Sequence, residues 1–161
     1  MGSTLSNPKL IASLSAGIIP QNSAFNIVPM TTAVPYALGV GSTSGNVDGV
    51  YAQDRTVTAG SPDKINLMAI TDPTGATLAV ARLVAIQIVN NSNISGQTIT
   101  LGGSVTPYIG SPQQPIGPQG GSLLYSPLDG ISPVSSAAGN LFVTASSSVV
   151  PYSIRLYTRS A

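Results

Sequence analysis

From about residue 50 to the end of the chain, apolar and polar positions alternate in short runs cut by turn residues. The plainest run is 149–159, where Tyr152, Ile154 and Leu156 alternate with Ser153, Arg155 and Tyr157, so that a strand there has one apolar and one wetter face. The same pattern predicts strands at 51–59, 65–70, 98–101, 105–109 (around Pro107), 122–125 and 141–145. Between them stand turn signals such as Gly60-Ser61-Pro62-Asp63 and Asp72-Pro73-Thr74-Gly75, in which proline presets the backbone and glycine tolerates positive φ. Residues 110–121 carry three prolines and read as a loop, because proline cannot continue a sheet ladder.

The most apolar run is 78–92, LAVARLVAIQIVNNS, with Arg82 inside it. It is shorter than the roughly 20 apolar residues a bilayer-spanning helix needs. Val80, Val84, Ile86, Ile88 and Val89 are β-branched and turns bound both ends, so the run reads as a central strand. Strict alternation puts Val80, Val84, Ile86 and Ile88 on the core face and Ala79, Ala81, Leu83 and Ala85 on a flatter face that a partner can cover. Arg82 falls on the bulky face near the strand's start, where it reaches solvent or a carboxylate, Asp72 or Asp54 being the first candidates.

Residues 1–50 differ. Short apolar pieces such as Lys9-Leu10-Ile11 and Ile18-Ile19 are broken by Pro20, Pro29 and Pro35, and no period of 2 or 3.6 runs through them. This segment is expected to be an extended N-terminal arm ordered by lying on something else, with a short edge strand near 36–40. Residues 51–161 are then a single β domain of seven to nine strands, an antiparallel β-sandwich of jelly-roll type.

Composition sharpens this picture mainly by exclusion. Only 7% of the 161 residues are charged while 42% are hydrophobic, Glu is absent, and Lys occurs only at Lys9 and Lys64, which disfavours exposed helices. A net charge of +1 offers no basic patch for nucleic acid or acidic membranes, and neither is expected as a partner. So little charge beside so much apolar sequence favours association with other chains.

With no Cys and no His, disulfides, thiolate metal sites, a cysteine nucleophile and the usual neutral-pH base are all missing. The five carboxylates, Asp48, Asp54, Asp63, Asp72 and Asp129, all lie beside turn-like sequence, where Asp caps its own backbone. Gly39–Gly45 lacks a phosphate loop's lysine. No enzyme activity, cofactor or metal is expected. Asn90-Asn91-Ser92 and Asn93-Ile94-Ser95 fit the glycosylation pattern but read as turn residues. No basic region precedes the first apolar stretch, so no secretory signal is expected. Arg82, Arg155 and Arg159 are the candidates for pairing with acidic groups on a neighbouring subunit or for protecting a sheet edge.

Three stretches, Asp54-Arg55-Thr56-Val57-Thr58-Ala59, Lys64-Ile65-Asn66-Leu67-Met68-Ala69-Ile70-Thr71-Asp72 and residues 75–86, resemble small virion proteins of tailed bacteriophages. The resemblance continues in order through Asn90-Asn91-Ser92, Thr98–Gly103, Gly120-Gly121-Ser122-Leu123-Leu124 and Tyr152–Tyr157. It covers about residues 54–159 and rests on β-pattern residues rather than a catalytic fingerprint. It implies a jelly-roll-like capsid decoration, or cement, protein on the outer surface of the phage head. The implied partners are the major capsid protein and copies of this chain, as a trimer at a local threefold axis or else a dimer. The alternative is a head-fibre, tail or receptor-binding module that contacts host-surface glycans, for which Tyr108 and Tyr125 are candidate contact residues.

Overall fold

The computed structural model describes residues 9–16, 30–37, 39–102, 109, 112–126, 128–131, 134–135 and 139–161, with side chains from residue 39 onward. Among the described residues the chain is all-β, with no helix. The strands are β1 (Lys9–Ala16), β2 (Met30–Ala37), β3 (Gly39–Val40), β4 (Asn46–Val47), β5 (Gly49–Thr58), β6 (Asp63–Asn66), β7 (Arg82–Asn90), β8 (Ile99–Leu101), β9 (Gly121–Tyr125), β10 (Asn140–Ala145) and β11 (Val149–Arg159). A four-stranded sheet has the order β5-β11-β7-β9, and a three-stranded sheet the order β6-β10-β8, with every neighbouring pair antiparallel. β1 and β2 form a separate antiparallel ladder, and β3 and β4 a short parallel pair.

One apolar cluster draws on both larger sheets. The four-stranded sheet contributes Tyr51, Val57, Ile86, Ile88, Ile154 and Leu156, and the three-stranded sheet Ile65, Ile99, Leu101, Leu141 and Val143. Each such side chain fully removed from water is worth about 1.5–3 kcal/mol, so this shared cluster is the main attraction between the sheets. The alternation read in β11 places Val150, Tyr152, Ile154 and Leu156 inside, as expected. Pro151 is tolerated in this interior strand because β7 ends beside it. Its carbonyl accepts the Asn91 N–H at 2.9 Å, and the Asn91 carbonyl, which a residue with an N–H would have met, takes Gln119 Nε2 at 3.2 Å instead.

The run 78–92 is an interior strand, since β7 lies between β11 and β9, but the strand begins at Arg82 rather than Leu78. Its faces are not those of strict alternation. The register with β11 slips between Tyr157↔Ala85 and Thr158↔Leu83, leaving Val84 as the extra residue of a β-bulge. A bulge rotates everything beyond it by one face. Leu83 therefore joins Ile86 and Ile88 in the main core, while Val84 sits with Ala85 and Val47 in a second, small cluster.

The predicted turn at Asp72 is built as expected: Asp72 Oδ1 accepts the N–H groups of Thr74 (2.8 Å) and Ala76 (2.9 Å), and Gly75 takes a φ of 91°. The turn at Asn90 does more than reverse the chain. The Asn90 side chain is fully buried and donates to the carbonyls of Gln97 (2.9 Å) and Ile116 (3.0 Å) while accepting the Ser92 N–H (3.0 Å). Asn90→Ala leaves the Gln97 carbonyl and the Ser92 N–H without their buried partner and takes one of two donors from the Ile116 carbonyl, and is expected to lower unfolding free energy by about 2–3 kcal/mol in urea titration.

The N-terminal segment pairs with itself: the β1–β2 ladder runs in register from Lys9↔Ala37 to Ala16↔Met30. The predicted edge strand at 36–40 falls across the end of β2 and β3, and residue 38 lies outside the described residues. Body packing starts before residue 51, because Val47 is fully buried and β5 begins at Gly49. The predicted strand at 105–109 lies outside the described residues except for buried Ile109.

Candidate functional surface

Three polar groups stand out. The first is a clasp at the edge where β5 faces β6. Arg55 on β5 meets Asp63 at the start of β6 in a bidentate pair, Nε to Oδ2 and Nη2 to Oδ1, both 2.7 Å. The Tyr152 hydroxyl, from a side chain buried in β11, donates to the same Oδ2 at 2.7 Å. Arg55 Nη1 also reaches the Tyr51 hydroxyl (3.2 Å) and Gln53 Oε1 (2.9 Å), and Tyr51 donates to that Gln53 oxygen (2.8 Å). The clasp therefore joins the two larger sheets.

The electrostatics of the clasp follow from these bonds. The hydrogen bonds from Arg55 hold the Asp63 carboxyl below the usual carboxylate range, against the opposing effect of burial. The same bonds keep the Arg55 guanidinium firmly charged. Burial raises the Tyr152 phenol, with the Asp63 bond adding to it, and burial also raises Tyr51, opposed there by Arg55. A carboxylate so held is a poor proton acceptor, and its chemistry here is to tie strands together.

The second group lies on the open face of the four-stranded sheet, opposite the core. Asn91 Nδ2 donates to Ser153 Oγ at 2.6 Å, and Ser153 Oγ donates to Asp54 Oδ1 at 2.6 Å, a polar line from the end of β7 across β11 to β5. Arg155 stands exposed two residues along β11, between two shallow hollows. One, of about 150 Å³, is lined by Gln87, Val89, Asn91, Ser153 and Arg155; the other, of about 200 Å³, by Ala52, Gln53, Asp54, Ser153, Ile154 and Arg155. Half-buried Tyr157 and Leu123 and exposed Tyr125 continue this face towards the bulge.

The third group is at the covered end of the same sheet. Arg82 and Arg159 are cross-strand partners, so the structure brings together two of the three candidate arginines and leaves Arg155 apart. Arg159 does not have the exposed position read from the sequence: it is 4% exposed, and its Nη1 donates to the carbonyls of Leu128 (3.1 Å) and Thr43 (3.4 Å). The loops before β5 and after β9 close over it, helped by Ser44 Oγ donating to the Leu128 carbonyl at 2.7 Å. Arg82 is half-buried, with Gly130 packed so closely that a Cβ there would lie 2.9 Å from the Arg82 Cβ. Of the carboxylates considered for Arg82, Asp72 Oδ1 accepts within its own turn and Asp54 Oδ1 accepts from Ser153.

Arg55, Asp63 and Tyr152 were not singled out as a group by the sequence, where they are separated by long stretches and Asp63 reads as part of a turn. Tyr125 is 47% exposed, and Tyr108 lies outside the described residues. Among the described residues no cluster of three or more His, Cys, Asp or Glu is placed to hold a metal ion, and no helix is long and apolar enough to cross a membrane. No family model matches the chain, and no curated protein or solved structure matches it either.

Proposed function

We propose that this chain is a structural virion protein of a tailed-phage head: a capsid decoration, or cement, protein that binds the outer surface of the shell and stabilises joints between capsomers. In this reading the two larger sheets stack as an antiparallel β-sandwich of jelly-roll type, and the chain before β3 is an arm that reaches a neighbouring molecule. The partners are the major capsid protein and further copies of this chain.

The observation that carries the reading is the β1–β2 ribbon. In its register the positions Leu10↔Tyr36, Ala12↔Val34, Leu14↔Thr32 and Ala16↔Met30 share one face, which is predominantly apolar, while the other, with Lys9↔Ala37, Ile11↔Pro35, Ser13↔Ala33 and Ser15↔Thr31, is mixed. Among the described residues no third strand joins this sheet. A two-stranded ribbon with an apolar face is at best marginal alone in water and gains stability when that face is covered. A shell surface is a suitable cover, and many modest contacts repeated over the shell add up to resistance against internal pressure.

The test is add-back to shells that lack the protein. Full-length chain is expected to raise the temperature at which shells rupture; an unchanged rupture temperature contradicts the reading. Leu14→Asp with Val34→Asp, which place charge on the apolar ribbon positions, are expected to weaken shell binding at least about tenfold while leaving the unfolding transition of the body in place. Exposed Tyr125 on the open sheet face supports a second reading, a fibre, tail or receptor-binding module that contacts glycans.

A further inference from the structure

We infer that the open face of the four-stranded sheet is a self-complementary interface, on which a second copy docks about a two-fold axis with Arg155 of each copy entering the Asp54-lined hollow of the other. The inference is independent of the virion role.

The face carries one exposed cation and one exposed carboxylate on adjacent strands. Ser153 is the cross-strand neighbour of Asp54, and Arg155 is that of Ala52, so Arg155 and Asp54 are diagonal neighbours on one side of the sheet. Such diagonal positions lie about 7–8 Å apart. The two do not pair within the chain: among the described residues the ion pair is Arg55–Asp63, and Asp54 Oδ1 accepts from Ser153 rather than from the Arg155 guanidinium. Asp54 accepts Ser153 through one oxygen, and the other is open to a further donor.

Shape matches charge. Arg155 projects beside a hollow whose wall includes Asp54, so each copy offers a projection and an adjoining receptacle of opposite charge. A two-fold axis uses both, because an isologous contact sets residue i against j and j against i. Around this centre the face is largely uncharged, with Val50, Ala52, Val89, Leu123 and Tyr157 half-buried in the single copy, each with surface left to bury. Four strands about 4.8 Å apart and about eight residues long give a face on the order of 500 Å² before side-chain relief is counted. Specific, stable interfaces of standard size bury about 600–1,000 Å² per partner. Of the two self-association states expected from the sequence, this geometry builds the dimer.

The experiment is sedimentation equilibrium on the full-length chain, at concentrations on the order of 100 μM, well above micromolar dissociation constants. A dimer is expected for the wild type. Arg155→Asp and Asp54→Arg, each bringing like charges together twice per interface, are expected to weaken it at least about tenfold. The double variant, with both charges reversed, is expected to return to within about threefold of the wild type, which also shows that the singles fail at the interface rather than in folding. A wild-type monomer, a trimer, single variants that associate like the wild type, or a double variant that does not recover would each overturn the inference.

Discussion

Asp63→Ala is expected to lower the free energy of unfolding by about 3 kcal/mol, a large share of the roughly 5–15 kcal/mol that holds a domain of this kind together. The carboxylate is the shared acceptor of the clasp. Removing it leaves the half-buried Arg55 guanidinium without its bidentate partner and the Tyr152 hydroxyl unbonded inside the core. Because β5 and β6 belong to different sheets, the loss falls on the contact between them. Asp63→Asn keeps the shape and loses the charge, so it is expected to cost less than alanine.

The clasp also sets how stability responds to pH. Asp63 titrates lower in the folded chain than in the unfolded one, so its contribution is fully present above the ordinary Asp pKa of about 3.9 and is lost as pH falls through its depressed folded value. Tyr152 and Tyr51 are raised by folding, so their contribution is present below the ordinary Tyr pKa of about 10 and is lost as pH rises above it. Urea midpoints are therefore expected to be flat between these limits, with an acid decline that Asp63→Asn flattens. An equally steep acid decline in that variant would show that other carboxylates control it.

Leu156→Ala is expected to cost about 3–4 kcal/mol, measured as a fall in the urea midpoint at unchanged slope. Leu156 is fully buried and is the cross-strand partner of both Tyr51 on β5 and Ile86 on β7, three side chains of the main core. The surrounding sheet is hydrogen-bonded on both sides of β11 and cannot collapse into the space left behind, so a cavity penalty adds to the lost transfer energy. A cost below about 1 kcal/mol would mean that the core is loosely packed there.

How much of this was legible depends on how local the cause is. β11 was read with its full span because a strand in the middle of a sheet keeps one face bulky and apolar, and Tyr152, Ile154 and Leu156 do so without interruption. The Asp72 turn was legible because its bonds are made within five residues. The bulge at Val84 was not, since it exists only relative to the register of β11, and all its flanking residues are apolar enough for either face. Nor was the clasp, whose partners Asp63 and Tyr152 are 89 positions apart. Arg159 looked like the exposed end of an edge strand, yet loops from positions 43 and 128 cover it. The β1–β2 ribbon was missed for a subtler reason. Ala and Ser alternate weakly in hydropathy, so the period of 2 in Lys9–Ala16 becomes visible only when the ladder with Met30–Ala37 shows which positions share a face.

An image reconstruction of the intact particle tests the functional account most directly, because it gives location and copy number together. Density for this chain is expected on the outer surface of the head, on the order of hundreds of copies, seated over joints between capsomers where repeated weak contacts accumulate. A few tens of copies at a fibre or the tail, or no density on the head, would contradict it.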